Sequence, residues 1–239
     1  MEVISDREHI LLAVIDRLRI VRAADAAWLA GYTDYTYCRK CLRKLCGMGL
    51  LQICRDSAGS NCYYLSGRGL AVLGKQASHI YEVSYTTHHA LVVGRVCARL
   101  RITEGASPGE LLTDSVLRCK GDKQRHRPDI VFRDCAYEVE LNHKPLSLLE
   151  KNIRDNSNYQ KQIWIMPDNR PSIARNLNNC AQRVGVRIQT IPLVEIEKQV
   201  ATADIHKNKR DTGTWDEIES VVSMPATHSM SKYTSYFKK

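Results

Sequence analysis

The chain has 239 residues, 44% of them hydrophobic and 26% charged, the balance of a globular protein with room for one large domain or two small ones. Its 35 Lys and Arg against 26 Asp and Glu give a formal net charge of +9, which favours a polyanionic partner. The acidic start Met1-Glu2-Val3-Ile4-Ser5-Asp6 and apolar runs as short as residues 90–93 speak against a secretory leader and a membrane span, so a cytoplasmic protein with no membrane insertion is expected.

Nine cysteines, an odd number scattered through both halves, read as reduced thiols rather than a disulfide framework. Cys38 and Cys41 form a CxxC pair near Cys46, Cys54 and Cys62, but no second CxxC completes a tetrahedral zinc set. Small buried hydrophobes are the better reading of these residues.

The first predicted helix covers residues 6–19, where Ile10, Leu11, Val14, Ile15 and Leu18 share a face. A short helix over 23–30, with Ala24, Ala27 and Trp28 inward, ends at Gly31. A third covers 35–48, buried through Cys38, Cys41, Leu42 and Leu45 and closed by Gly47 and Gly49. Strands over 50–55 and 62–65 flank the turn formers of 56–61, and 66–70 leads into a supporting helix. Three helices followed by such a hairpin predict a winged helix-turn-helix over residues 1–76. Its third helix would offer Thr36, Tyr37, Arg39, Lys40, Arg43 and Lys44 to a major groove, with Arg55 and Arg68 on phosphates beside the wing.

Residues 77–85 read as a linker or the start of a second domain spanning 77–200, and 88–101 as a helix with Leu91, Val92, Val96 and Leu100 inward. A strand or edge segment is expected over 115–118, after the acidic Glu110 and Asp114. A solvent-facing basic loop over 120–127 adds Lys123, Arg125 and Arg127 to the candidate DNA contacts.

The most informative stretch is Arg127-Pro128-Asp129 through Tyr137-Glu138-Val139-Glu140-Leu141-Asn142. With Asp134-Cys135 at the turn, Phe132 faces Tyr137, Ile130 faces Val139, Val131 faces Glu138 and Asp129 faces Glu140. Alternation then gives one apolar face and one face carrying Asp129, Glu138, Glu140 and Asn142. Residues opposed across such a ladder stand roughly 5 Å apart at Cβ, close enough to share a divalent cation. Converging carboxylates need a cation, a proton or a basic group to offset their repulsion, and Mg²⁺ or Mn²⁺ suits an all-oxygen set.

Pro128-Asp129 followed by Glu138-x-Glu140 resembles the core of the PD-(D/E)xK restriction-endonuclease-like superfamily. The resemblance implies a mixed four- or five-stranded sheet flanked by helices and Mg²⁺-dependent phosphodiester cleavage. Its second acid falls on Glu138 or Glu140, and its lysine is missing at either spacing, Glu140 or Asn142 standing there; Lys144 lies two residues beyond. Together with the winged helix, His88-His89, Glu110 and Asp114, the wider pattern over roughly 6–195 resembles the plasmid replication-relaxation family and the MobC-type mobilisation relaxases. That resemblance implies cleavage at an origin of transfer. It also implies plasmid DNA as partner, duplex with nicked or single-stranded forms, alongside an accessory mobilisation protein and a coupling protein. A homodimer is a further option.

The resemblance places His88 near the cluster as ligand, phosphate contact or proton carrier, and makes Asp114, ahead of Glu110, an additional metal ligand. It also matches Lys151 and Tyr159 to phosphate-binding positions, although water rather than Tyr159 is the expected nucleophile. The cation ligands are thus expected among Asp129, Glu138, Glu140 and Asp114, with His88, Lys144, Lys151 and Tyr159 as further catalytic candidates.

Helices over 146–156 and 172–184 and strands over 162–167 and 186–191 complete an open mixed sheet, with Trp164 and Met166 in its core. Patterning fades beyond 193–195. A C-terminal extension over 201–239 carries one possible short helix at 215–222 and a basic end at 231–239. The sequence reads as a metal-dependent DNA relaxase or nickase. Its rivals are a non-catalytic plasmid regulator on a degenerate nuclease fold and an accessory scaffold.

Overall fold

The structure, a computed structural model, describes residues 3–76, 80–84, 86–118 and 126–207. Lys123, Arg125, the 215–222 helix and the basic end lie outside the described residues, as does part of the 77–85 linker.

Helix α1 (Asp6–Leu18) opens on a reciprocal cap: Glu8 N–H donates to Ser5 Oγ at 3.4 Å and Ser5 N–H to Glu8 Oε2 at 2.9 Å. Its buried stripe is Leu11, Val14, Ile15 and Leu18, with Ile10 half-buried. It breaks at Arg19, at φ 70. Strand β1 (Ile20–Arg22) follows and runs directly into α2 (Ala23–Leu29). No local signal announces β1. Three residues are too few for a period, and the left-handed residue before it is an arginine rather than a glycine.

Helix α3 (Tyr35–Gly47) is capped by Asp34, whose Oδ1 accepts Thr36 N–H at 2.7 Å, and it buries Cys38, Cys41, Leu42 and Leu45 as predicted. Strands β2 (Leu51–Arg55) and β3 (Asn61–Leu65) form the expected hairpin. Asp56 fixes its tip by accepting the N–H groups of Ala58 and Ser60 and pairing with Arg22 Nε at 2.8 Å. The first sheet is antiparallel in the order β1-β3-β2. Helix α4 (Gly67–Val72) lies so close to this sheet that a Cβ on Gly69 would stand 2.2 Å from Leu50 O; only glycine fits there.

Helix α5 (Thr87–Glu104) packs on α2, β1 and the Cys135–Val139 strand of the second sheet. That sheet has five strands in the order β4-β5-β6-β7-β8. They are β4 (Leu112–Thr113), β5 (Ile130–Phe132), β6 (Cys135–Val139), β7 (Lys161–Met166) and β8 (Gln189–Pro192). The pairs β4–β5 and β5–β6 are antiparallel; β6–β7 and β7–β8 are parallel, with α7 (Leu146–Asp155) and α8 (Pro171–Val184) in the connections. The chain is therefore mixed α/β with one antiparallel and one mixed sheet. No helix among the described residues is long and apolar enough to cross a membrane.

Three details depart from the sequence reading. Residues 115–118 are not an edge strand: Asp114–Arg118 is a short helix, α6, and the strand is Leu112–Thr113 just before it. The β-branched and apolar pair Val116-Leu117 reads as strand, but Thr113 and Ser115 hydroxyls both donate to Arg17 O and turn the chain there. Residues 193–202 form α9 (Leu193–Thr202), burying Ile196 and Val200; its first turn is capped from another loop, by Asp168 accepting Val194 N–H at 3.0 Å, so no local cap announces it. The β5–β6 turn is the two residues Arg133 and Asp134, both at positive φ (46° and 59°), so Phe132 pairs with Cys135 and Ile130 with Tyr137. The register is two residues away from the expected one. Because the side-chain period is also two, the two faces keep their predicted composition.

Ile130, Phe132, Tyr137, Val139, Ile163 and Ile165 face a core that also takes in α5, α9 and the interior of the N-terminal helices. Trp164 and Met166 face the other side, against Leu149 and Ile153 of α7 and Ile173, Leu177 and Cys180 of α8. Cys38, Cys41, Cys62, Cys97 and Cys180 are buried free thiols, matching the small-hydrophobe reading, and burial pushes Cys46 and Cys62 up to about 11.

The first core is continuous across residue 76, and a charge pair is embedded in it. Arg95 Nε of α5 stands 3.1 Å from Asp25 Oδ1 of α2 and 3.5 Å from Glu197 of α9. Asp25 is 0% exposed, and burial pushes its carboxyl up to about 6 against the pull of Arg95 and Arg22. Breaking one side of a buried pair strands the other charge. Asp25→Leu and Arg95→Met should each lower unfolding free energy by about 3 kcal/mol or more, whereas the double variant recovers most of that loss. Urea unfolding of the four proteins checks this; strictly additive losses would show the two residues to be uncoupled.

Candidate functional site

The outward face of α3 follows from its buried one. With Cys38, Cys41, Leu42 and Leu45 inward, 100° per residue places Thr36, Arg39, Lys40 and Arg43 on the opposite side, and all four are exposed. Tyr37 lies at the flank, its ring 5.9 Å from that of Tyr32, and Arg39 lies 5.7 Å over the Tyr35 ring. Lys44 is drawn off this face toward α1, 3.0 Å from Glu8. Arg55 on β2 and Arg68 on α4 are exposed as well. No described carboxylate pairs with Lys40 or Arg43, so the face carries positive charge that is not neutralised within the described residues.

The second cluster lies where β5 begins and β6 ends. Asp129 precedes β5, and its carboxylate Oδ2 accepts the N–H of Val139 at 2.8 Å, in place of a main-chain partner. Glu138 and Glu140 lie on the same face by alternation, both 2% exposed. Glu140 N–H donates to Ile165 O at 2.9 Å, extending the parallel ladder beyond Val139 and holding the residue against β7.

Each carboxylate meets one basic side chain. His89 Nε2, on the first turn of α5, is 3.2 Å from Asp129 Oδ2 and 3.2 Å from Val139 O. His126 Nε2 is 2.6 Å from Glu138 Oε1, which also accepts Asn156 Nδ2 at 2.7 Å. Lys144 Nζ is 2.7 Å from Glu140 Oε2. Burial pushes the Glu138 and Glu140 carboxyls up and the charge of Asp129 adds to the push, while His126 and Lys144 respectively pull them back. Burial pulls both imidazoles down, but Asp129 and Glu138 outweigh it, and His89 and His126 stand above the ordinary value.

Asp129, Glu138, Glu140 and Lys144 are thus brought to one place. His88 is not: it is exposed, and its neighbour His89 makes the contact. One position around a helix is a 100° turn, so a small uncertainty in where α5 begins exchanges the two histidines. Asp114 touches the cluster through its backbone, its N–H donating to Asp129 O at 3.1 Å, while its carboxylate lies 3.4 Å from Arg127 Nε. Arg127 is accordingly a half-buried ion-pair partner of Asp114. Glu110 accepts Ser107 N–H at 2.8 Å and closes a local turn. Lys151 is exposed on α7, and Tyr159 is half-buried after it, its N–H donating to Asn156 O. Spacing does not single out His126 or Asn156: the first stands in a run that reads as a basic loop, and the second becomes visible only when α7 is laid over the sheet.

Among the described residues no three His, Cys, Asp or Glu side chains are gathered tightly enough to hold an ion as they stand. Beyond the described face, the neighbouring loops add polar groups. Arg170 donates to Leu141 O and Asn142 Oδ1, both at 3.1 Å, and His143 Nε2 lies 3.2 Å from Ser172 Oγ.

In comparisons with protein-family models, curated proteins and solved structures, the chain matches none.

His89 is raised because Asp129 favours its charged form, so the pair contributes stability that is complete below about pH 6.5 and is lost as pH rises through the elevated pKa. Asp129→Asn should lower the His89 pKa. Proton NMR of the ring resonances reads this directly, and an unchanged midpoint would show that the pair does not form in solution.

Proposed function

We propose that the chain is a metal-dependent DNA nickase of the relaxase type, which grips duplex DNA through a winged helix-turn-helix and cleaves one phosphodiester bond at a PD-(D/E)xK-like centre. The carrying observation is the gathering of Asp129, Glu138 and Glu140 on one sheet face with Lys144 Nζ 2.7 Å from Glu140. The basic group absent at the motif's lysine position is supplied four residues after Glu140, from the loop that follows β6.

The element order α1-β1-α2-α3-β2-β3 supports the winged-helix reading, with α3 as the groove-reading helix. Thr36, Arg39, Lys40 and Arg43 would meet base edges and phosphates, and Arg55 and Arg68 the flanking backbone. A mixed sheet with helices on both sides supports the nuclease-like reading of the second half.

An oxygen-only set of mutually repelling carboxylates fits Mg²⁺ or Mn²⁺, and Asp129 and Glu140 are the residues that would hold the ion. Such an ion supplies charge stabilisation at the scissile phosphate and lowers the pKa of water. Lys144, already beside Glu140, would then offset phosphate charge. Plasmid DNA at an origin of transfer is the substrate that the relaxase resemblance suggests, with accessory and coupling proteins as partners.

A second reading, a non-catalytic DNA-binding regulator, is favoured by one observation: His89, His126 and Lys144 already compensate the three carboxylates without a cation. Incubating supercoiled origin-containing plasmid with Mg²⁺ or Mn²⁺ separates the two. The nickase reading expects open-circular product, reduced about 10²-fold or more in Asp129→Ala and Glu140→Ala. Wild-type cutting by either variant, or tight binding with no scission by the parent chain, selects against it.

The α3 face has its own test. Arg39→Ala combined with Arg43→Ala should weaken DNA binding and flatten the salt dependence by about 0.9 per lost phosphate contact. An unchanged slope would remove α3 from the interface.

A further inference from the structure

The nuclease reading leaves one buried assembly unused. Glu138 lies under α7, 2% exposed, and a single oxygen of it, Oε1, receives both His126 Nε2 at 2.6 Å and Asn156 Nδ2 at 2.7 Å. Asn156 is 0% exposed at the C-cap of α7. The backbone N–H of His126 donates to Asp155 Oδ2 at 3.1 Å, so the end of α7 holds the histidine by its main chain as well as its ring.

We propose that His126 is a catalytic proton acceptor of the carboxylate centre, and that Glu138 and Asn156 are its positioning residues rather than cation ligands. The proposal rests on the nuclease reading and assigns the two glutamates, which the sequence could not tell apart, to different tasks.

The chemistry of the contacts carries it. Glu138 Oε1 accepts a hydrogen bond from the Asn156 amide and is an acceptor toward His126 as well, so in the neutral form of the ring, the form that can act as a base, the proton sits on Nε2. Among the described residues nothing else bonds to the ring, which leaves the Nδ1 lone pair available. The His126 side chain is 25% exposed, enough for a water to reach it, whereas Glu138 beneath it is at 3%. Through Glu138 the imidazole is tied to the strand face that also carries Asp129 and Glu140. A buried carboxylate that fixes the tautomer and would stabilise the imidazolium is the arrangement by which a histidine acts as general base. Lys144 cannot take that part while it is charged and paired with Glu140.

In the hydrolytic step the oxygen of water forms a bond to phosphorus as the bond from phosphorus to the leaving oxygen breaks. The proton of that water passes to Nδ1 of His126, the leaving oxygen takes a proton from solvent, and the imidazolium later returns its proton to solvent. No electrons are exchanged with any other reagent.

The test uses the full chain and three variants, His126→Ala, Glu138→Gln and Asp129→Ala. Nicking of supercoiled DNA, Mn²⁺ binding in the absence of DNA, and nitrogen NMR of the histidine rings are measured on each. His126→Ala should slow nicking by about 10²-fold or more, regain activity with added imidazole, and bind Mn²⁺ as the parent does, unlike Asp129→Ala. Glu138→Gln should also keep Mn²⁺ binding, while the wild-type His126 signature of an unprotonated Nδ1 gives way to a tautomer mixture. Loss of Mn²⁺ binding in His126→Ala or Glu138→Gln would return these residues to the cation's shell and overturn the assignment. Parent-level nicking by His126→Ala, no rescue by imidazole, or a protonated Nδ1 in the wild type would each overturn it too. Scission absent from the parent chain overturns the nuclease reading itself, a result distinct from scission that survives the loss of His126.

Discussion

Like charges on one side of a hairpin are the constraint around which the second half of the molecule is arranged. The alternation of β6 puts Glu138 and Glu140 on the face that Asp129 shares, and burial makes their mutual repulsion expensive. Each carboxylate is answered from a different stretch of chain: Asp129 from the first turn of α5, Glu138 from the segment before β5, and Glu140 from the loop after β6. Charge compensation thus draws together segments that apolar packing alone would not need to bring to the same sheet edge. On the proposed nickase reading, a cation would meet the same electrostatic demand as these basic side chains.

Helix α5 links this centre to the N-terminal half. Its first turn carries His89 against Asp129, and six residues further on Arg95 meets Asp25 of α2, with Glu197 of α9 alongside. Val92 and Val93 between them, and Val96 just beyond, belong to a core shared with α1, α2 and α3. The helix proposed to read DNA and the cluster proposed to cleave it are therefore mounted on one continuous packed body. A body of that kind holds a fixed distance and angle between the two, which is what cleavage at a defined offset from a recognised sequence requires.

Much of this was legible in the residues. The buried stripe of α3, the β2–β3 hairpin, the two outer helices of the second sheet, the core places of Trp164 and Met166 and the two faces of the β5–β6 hairpin all follow from period and turn chemistry. What escaped had no local signal. Strand β1 is three residues long, α9 is capped by Asp168 from across the fold, and the hairpin turn uses Arg133 and Asp134 at angles that glycine or asparagine would have announced. Among the site residues, Asp129, Glu138, Glu140 and Lys144 could be found because they are close in sequence. His89 depended on helix phase, and Asn156 on a long-range crossover, so neither could be fixed by spacing.

The tip formed by Arg133 and Asp134 imposes an arithmetic on the whole centre. Pairing can slide by two positions and still return every acidic group to its own side, whereas sliding by one would hand Tyr137 and Val139 to the acidic side and drive Glu138 into the hydrocarbon interior. An added residue can be housed in a longer loop that leaves the pairing alone, so what the tip must preserve is the register of the acids and not its own length.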